Sequence, residues 1–432
     1  MKSKIVLALC IAVTALQQLP ASAQDARELI HQDLRRAGNV HHVYEDPAVI
    51  VDSPAPKGYK PFYVSHYGRH GSRYATSERY YDELCPVLDT LYTSGLLTEK
   101  GKRVREEINL IAAEHRNISG ILTQVGSMEH QRVGDRLYKR YPRIFNQKGR
   151  QHVVAQSTHI QRCIQSMANF TLSLKGNQPG LQFNLYTGER YMDVLCHDYT
   201  TPREVKDVVN AKLDSIATTV VDGSAFFATM VSDVNAATAM IGAAQAKDLM
   251  YDVYYAGCIS QCMDGDMPFI FDHFTEEELY SLFKNNTAKV YANYAGSTED
   301  KGGRPRGVGG PILRDIVDRA DAALAAGSDV CADLRFGHDT GIAPLLVLIG
   351  IEEYRYRPVA EAANNWYAFE NLSMCTNLQM IFYKNGKDDV LVKFLFNERE
   401  TRLTDLEPET GVYYNWKQLR PFFLDRIENF GK

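Results

Sequence analysis

Positive charge is scarce in this chain. Its 48 Lys and Arg stand against 53 Asp and Glu, a formal net charge of −5. That balance excludes a general nucleic-acid grip, so any anion site must be local and work against the mean charge. Long apolar runs are missing too. The run from Ile5 to Leu16 is too short to span a bilayer, and no other stretch is long enough, which excludes stable membrane insertion. No Cys and His spacing matches a zinc site. Repeats and low-complexity tracts are absent.

What remains reads as an exported globular protein. The 432 residues, 45% hydrophobic and 23% charged, suit one large domain or two ordinary ones. Lys2 and Lys4 precede the short apolar run, and Ala21-Ser22-Ala23 is a small-residue cleavage signal. Residues 1–23 are therefore read as a signal peptide, with a periplasmic or extracellular destination. Cys10 lies inside it, so seven of the eight cysteines remain. Cys258 and Cys262, four apart, could form a local disulfide after export. Cys163, Cys331 and Cys375 read as small buried apolar residues.

Apolar patterning predicts strands at Lys60 to Ser65 and His152 to Thr158, and another ending at Gly337. A hairpin is predicted to turn at Asn385-Gly386. Helical periodicity fills Ser77 to Gly95, Glu99 to Ala113, Met128 to Tyr141 and His159 to Leu174. From about Asp198 to Ala326 strand signals vanish. Helices are expected at Arg203 to Ala217, Ala225 to Tyr255, Thr275 to Tyr294 and Ile312 to Ala325, interrupted by a loop from Lys301 to Gly310. The expected fold is α/β, a mostly parallel sheet core flanked by helices, with an inserted α-helical cap. The expected boundaries are 24–190 for the first core segment, 191–325 for the cap and 326–432 for the second core segment.

The chemistry concentrates in RHGSR, residues 69–73, at the end of an apolar strand. Guanidinium groups on Arg69 and Arg73 match phosphate oxygens. The imidazole of His70 between them could attack phosphorus. His338-Asp339 follows another strand. His338 could donate to a phosphate oxygen, and Asp339 could protonate the leaving alkoxide and then assist water. A carboxylic acid in that role must be protonated, so an acidic or mildly acidic optimum is expected. Arg162, just past the strand at His152, is placed to reach the same phosphate.

These motifs resemble the histidine phosphatase superfamily, in its acid phosphatase and phytase branch. RHGSR resembles its RHGxR signature, His338-Asp339 its His-Asp pair, and Arg162 its third phosphate arginine. The stretches SHYGRHGSRY, RCIQSM, ENLSMCTNLQMIFYKNG and LVKFLFNERETRL look like multiple inositol polyphosphate phosphatases. The resemblance covers roughly residues 55–190 and 325–430. It implies a phosphohistidine at His70, phosphate binding by Arg69, Arg73, Arg162 and His338, and no metal or other cofactor. One departure stands out. That group usually carries His-Ala-Glu with Glu as proton donor, whereas this chain has His338-Asp339-Thr340, the acid-phosphatase form.

Other polar residues carry two readings each. Lys301, Arg304 and Arg306 form either a basic rim for distal phosphates or a solvated loop. Arg79 and Lys175 share that ambiguity. Glu129-His130 either contacts the cleft or is ordinary helix-surface polarity. His41-His42 reads as solvated surface rather than a metal pair, and His66 as a strand-end residue. The expected activity is phosphomonoester hydrolysis, first on inositol hexakisphosphate and lower inositol polyphosphates. The alternatives are a broad acid phosphatase taking sugar phosphates and, in another class, an inactive inositol phosphate-binding protein.

Overall fold

The computed structural model describes residues 25–387 and 389–432. The signal peptide read at 1–23 lies outside the described residues.

Eight strands form one sheet: β1 (Lys60–Arg69), β2 (His152–Ser157), β3 (Gln182–Tyr186), β4 (Val330–Gly337), β5 (Asn377–Lys384), β6 (Val390–Phe396), β7 (Arg399–Thr401) and β8 (Tyr413–Asn415). Their order is β3-β2-β4-β1-β5-β6-β7, with β8 also paired to β6. The first four strands run parallel. The C-terminal strands extend the sheet antiparallel from β1. β1 is buried from Phe62 to its end, as a central strand covered on both faces must be. The hairpin turns where Asn385-Gly386 places it, with the Asn385 side chain accepting from the backbone of Lys387 at 2.8 Å.

Alternation along the strands separates two cores. Val64, Leu334, Phe336 and Ile381 face the helices Gln124–Arg140 and Gln161–Asn177. Tyr63, Tyr67, Met380 and Phe394 face Gly310–Leu324, Asp339–Ile349 and Trp416–Asn429. A third apolar cluster is built mainly from helices and contains no residue of the sheet. It joins Leu29, Leu84, Leu88, Val104 and Ile108 to Phe226, Val253 and Leu282. The clusters thus cut across the division at 190 and 325. Arg79–Thr93 and Glu99–His115 pack with the helical block, whereas Gly310–Leu324 packs on the sheet.

Two expected elements differ. Ala225 to Tyr255 is three helices: Gly223–Met230, Val234–Ile241 and Ala243–Ser260. Asp233 caps the second by accepting from Ala236, and Gly242 breaks the chain at φ +90°. Lys301 to Gly310 is not an open loop either. A π turn at Pro305–Gly309 runs into Gly310–Leu324. Its glycines serve close packing. A Cβ on Gly303 would lie 2.1 Å from the Tyr199 hydroxyl, and one on Gly307 2.4 Å from the Tyr199 ring.

Cys258 and Cys262 are free and fully buried, so the expected local disulfide does not form. Cys262 instead donates to the His41 carbonyl at 2.9 Å. Among the described residues no helix is long and apolar enough to cross a membrane.

Candidate active site

The sheet register brings three motifs to one edge. Arg69, the last residue of β1, pairs with Gly337, the last of β4, and Ser157, the last of β2, pairs with Phe336. His70, His338 and the helix carrying Arg162 therefore leave the sheet side by side at the carboxyl ends of parallel strands. Open α/β sheets place ligands there.

The RHGSR turn is held from beneath. The His70 N–H donates to the Gly337 carbonyl at 2.9 Å, and the His70 carbonyl accepts from Cys375 at 3.0 Å. Glu129, with no exposure, accepts from both the backbone N–H (2.7 Å) and the hydroxyl (2.8 Å) of Ser72, and from the Tyr44 N–H (2.9 Å). Gly71 and Gly126 let the turn and the Gln124–Arg140 helix touch. A Cβ on Gly71 would sit 2.6 Å from the Gly126 carbonyl oxygen. Burial pushes the Glu129 carboxyl up, against hydrogen bonds that favour its charged form. Exchanging Glu129 for Gln sets an amide N–H against the Ser72 N–H. The turn should shift, and turnover should fall about 100-fold, the scale for a displacement near 1 Å. Steady-state kinetics alongside a melting curve checks this.

The His70 ring has a defined tautomer. Its Nδ1 lies 2.9 Å from the Gly71 carbonyl, which can only accept, so Nδ1 carries the proton and Nε2 keeps its lone pair. Burial, then Arg162, Arg69, Arg73 and His338, hold its pKa well below the ordinary value. Both effects favour the neutral imidazole, with Nε2 unprotonated, over the imidazolium.

Arg69 is fully buried and anchored. It donates to the carbonyls of Val40 (2.6 Å) and Leu372 (2.7 Å) and to Asp339 Oδ2 (2.7 Å). Burial works to raise the Asp339 carboxyl, but Arg69, His338 and Arg73 outweigh it and hold it below its ordinary value. Arg73 donates to the Tyr74 carbonyl at 2.9 Å, and Arg162 reaches His338 Nδ1 at 3.3 Å. Since arginine only donates, His338 Nδ1 accepts, and its Nε2–H donates to the Thr158 hydroxyl at 3.1 Å. Burial and Arg162 bring His338 down to about 4. Both its nitrogens are thus engaged, rather than one standing free to donate to phosphate. Arg69, Arg73 and Arg162 each keep a buried Nε–H with no partner. Unpartnered cationic donors are costly, and an anion rich in oxygen satisfies them.

A family model, histidine phosphatase superfamily (branch 2), matches residues 68–397. The chain belongs to that superfamily. This histidine phosphatase is similar in fold to the multiple inositol polyphosphate phosphatase of Bifidobacterium longum solved with inositol hexasulfate (TM-score 0.72, 20% identity, 89% of this chain and 97% of that one). The same enzyme solved with phosphate gives a TM-score of 0.70 at 19% identity over 91% and 98%. The phytase from D. castellii gives 0.67 at 14% identity over 92% and 86%. No curated protein matches.

The structure brings together Arg69, His70, Arg73, Arg162, His338 and Asp339. The other cations make their contacts elsewhere. Arg79 is exposed and pairs with Glu83, and Lys175 donates to the carbonyls of Pro179 and Leu181 in the segment that follows its helix. Arg306 donates to the Lys301 carbonyl, and Lys301 is exposed. Arg304 lies over the Tyr199 ring at 5.5 Å and reaches the Thr201 hydroxyl. His66 is a core residue between Phe170 and Phe336. The histidine pair at 41–42 is buried rather than solvated. His42 bonds Glu45 and Gln261, and His41 stands beside Arg73. Both histidines follow a polar stretch, which is why their burial does not show in the sequence.

Proposed function

We propose that the protein hydrolyses phosphomonoesters through a phosphohistidine on His70 Nε2, first on inositol hexakisphosphate and lower inositol polyphosphates. The observation that carries this reading is the neutral, buried His70 imidazole, its Nε2 lone pair free, among three guanidiniums with unpartnered N–H groups. Nε2 attacks phosphorus as the bond to the ester oxygen breaks. The departing alkoxide takes its proton from Asp339. Water then attacks phosphorus as the phosphorus–nitrogen bond breaks and its electron pair returns to Nε2, and the water gives a proton to the Asp339 carboxylate. Alcohol and inorganic phosphate leave, and His70 is restored.

The inositol hexasulfate bound to the B. longum enzyme supports the inositol class. A second reading, hydrolysis of sugar phosphates, is favoured by the outlying contacts of Arg79, Lys301 and Arg306. The basic start, apolar run and Ala21-Ser22-Ala23 site support export to the periplasm or beyond.

Phosphate release from inositol hexakisphosphate and from glucose 1-phosphate, side by side from acidic to neutral pH, tests the assignment. Faster turnover of the inositol ester is the expected result. Preference for the sugar ester selects the second reading. Binding with no release from either leaves an inactive binding protein.

A further inference from the structure

One fully buried residue takes a backbone conformation that its own side chain disfavours. Asn39 has no exposure and sits at φ +58°, ψ −125° inside the 3-10 segment Leu34–His41. Glycine adopts that conformation freely, whereas a Cβ crowds the backbone there. What the position keeps by holding asparagine is an amide. Nδ2 donates to the Thr287 hydroxyl at 2.7 Å, and Oδ1 accepts from the Val40 N–H at 3.0 Å. Strained residues persist where the contacts around them fix them, and they gather at functional sites.

The cradle is one peptide away. The Val40 carbonyl accepts from Arg69 Nη1 at 2.6 Å. Thr287 belongs to the helix Glu276–Val290. A run of hydrogen bonds therefore joins a helix of the helical block to a phosphate arginine: Thr287 to Asn39, Asn39 to Val40, Val40 to Arg69. Arg69 Nη1 has one other carbonyl anchor, Leu372 at 2.7 Å. Two carbonyls from distant segments fix that nitrogen and so set the direction of the guanidinium, whose Nε–H is left without a partner. The neighbours of Asn39 hold the segment on either side of this point. Tyr254 donates to the Ala37 carbonyl at 2.6 Å, and Cys262 to the His41 carbonyl. The turn between them, and with it the aim of the Val40 carbonyl, is left to Asn39.

We propose that Asn39 is a positioning residue: its amide, braced by Thr287, aims the Val40 carbonyl at Arg69 and so sets the affinity of the cradle for phosphate. The role rests on the phosphatase reading above for its substrate, and extends it to a residue that touches neither substrate nor reacting atoms.

Asn39→Gly suits the backbone and removes the amide. In the folded mature protein it should raise the dissociation constant of inorganic phosphate, read by calorimetry, and KM for p-nitrophenyl phosphate together, each about tenfold, the scale of one lost hydrogen bond. A purely structural role would lower the folded fraction and leave the affinity of the folded protein unchanged. Thr287→Val cuts the brace from the other side and should raise both constants about fivefold, whereas Thr287→Ser, which keeps the hydroxyl, should stay within about twofold of the parent. The two effects should not add in the double variant, because both cut one connection. Thr287→Val carries the test where Asn39→Gly does not fold. Folded variants that bind phosphate as tightly as the parent overturn the proposal, whatever their turnover. A parent protein that binds phosphate but hydrolyses no ester overturns the phosphatase reading alone, and the binding constants then decide the role of Asn39. A parent that binds no phosphate overturns both.

Discussion

His70→Ala is expected to abolish turnover, with a loss on the order of 10⁴ to 10⁶ in kcat, the scale for deleting an enzymic nucleophile. The fold should survive. The backbone bonds of His70 to Gly337 and Cys375, and the Glu129 clamp on Ser72, do not involve the imidazole. The anion site should survive as well, because Arg69 is anchored through Val40 and Leu372 rather than through His70. The variant should therefore still bind inorganic phosphate while releasing none from an ester. Rapid mixing with a ³²P-labelled ester and quenching in alkali reads the intermediate directly. Parent protein should carry a label on histidine, stable in alkali and lost in acid, and the variant should carry none. Turnover by His70→Ala within tenfold of the parent would place the nucleophile elsewhere.

The neutral state of His70 would make the acid operation expected of this site compatible with a nucleophilic imidazole. An ordinary histidine is largely protonated at pH 5 and has no lone pair to attack with. Here burial and three guanidiniums favour the uncharged ring. On the proposed mechanism the same cations would draw the phosphate in, so that one set of charges would bind the substrate and keep its attacker deprotonated.

The residues legible in the sequence are those whose signals are local. RHGSR follows an apolar strand directly, and His338-Asp339 follows another, so strand end and motif are read together. Arg162 repeats that arrangement. The residues that shape the site from a distance carry no such signal. Glu129 reaches Ser72 across 57 positions and His41 reaches Arg73 across 32. Each looks like surface polarity until the chain is folded. β3 is hidden for a different reason. It is a five-residue edge strand, mostly exposed, and the alternation of Leu181-Gln182-Phe183-Asn184-Leu185 is too short to stand out. The glycines at 301–310 mislead because flexibility and close packing call for the same residue. The folded contacts tell which applies, the Tyr199 ring lying against Gly303 and Gly307 and the Pro344 carbonyl against Gly309.

Asp339→Asn should cost about 10² to 10⁴ in kcat on an alkyl phosphate, the usual range for a lost general acid. The cost should be much smaller on p-nitrophenyl phosphate, whose leaving group departs without a proton. In the free protein the Arg69 contact at 2.7 Å, with His338 and Arg73, keeps this carboxyl ionised despite burial. A general acid must hold a proton, and the substrate itself supplies the change. An anion among Arg69, Arg73 and Arg162 cancels the charge that held Asp339 down and sets like charge beside it. Both effects raise its pKa. Since the bound pKa exceeds the free one, binding takes up a proton between those values, and anion affinity rises as pH falls through that window. His338, held at about 4, responds in the same direction, while Tyr294, whose raised pKa reflects Asp339 first, stays protonated throughout. Calorimetric titration with sulfate at pH 5, in two buffers of different ionisation enthalpy, counts the protons. The parent protein should take up more than Asp339→Asn, by as much as one proton per anion. Equal uptake by the two proteins would place the acid on another group.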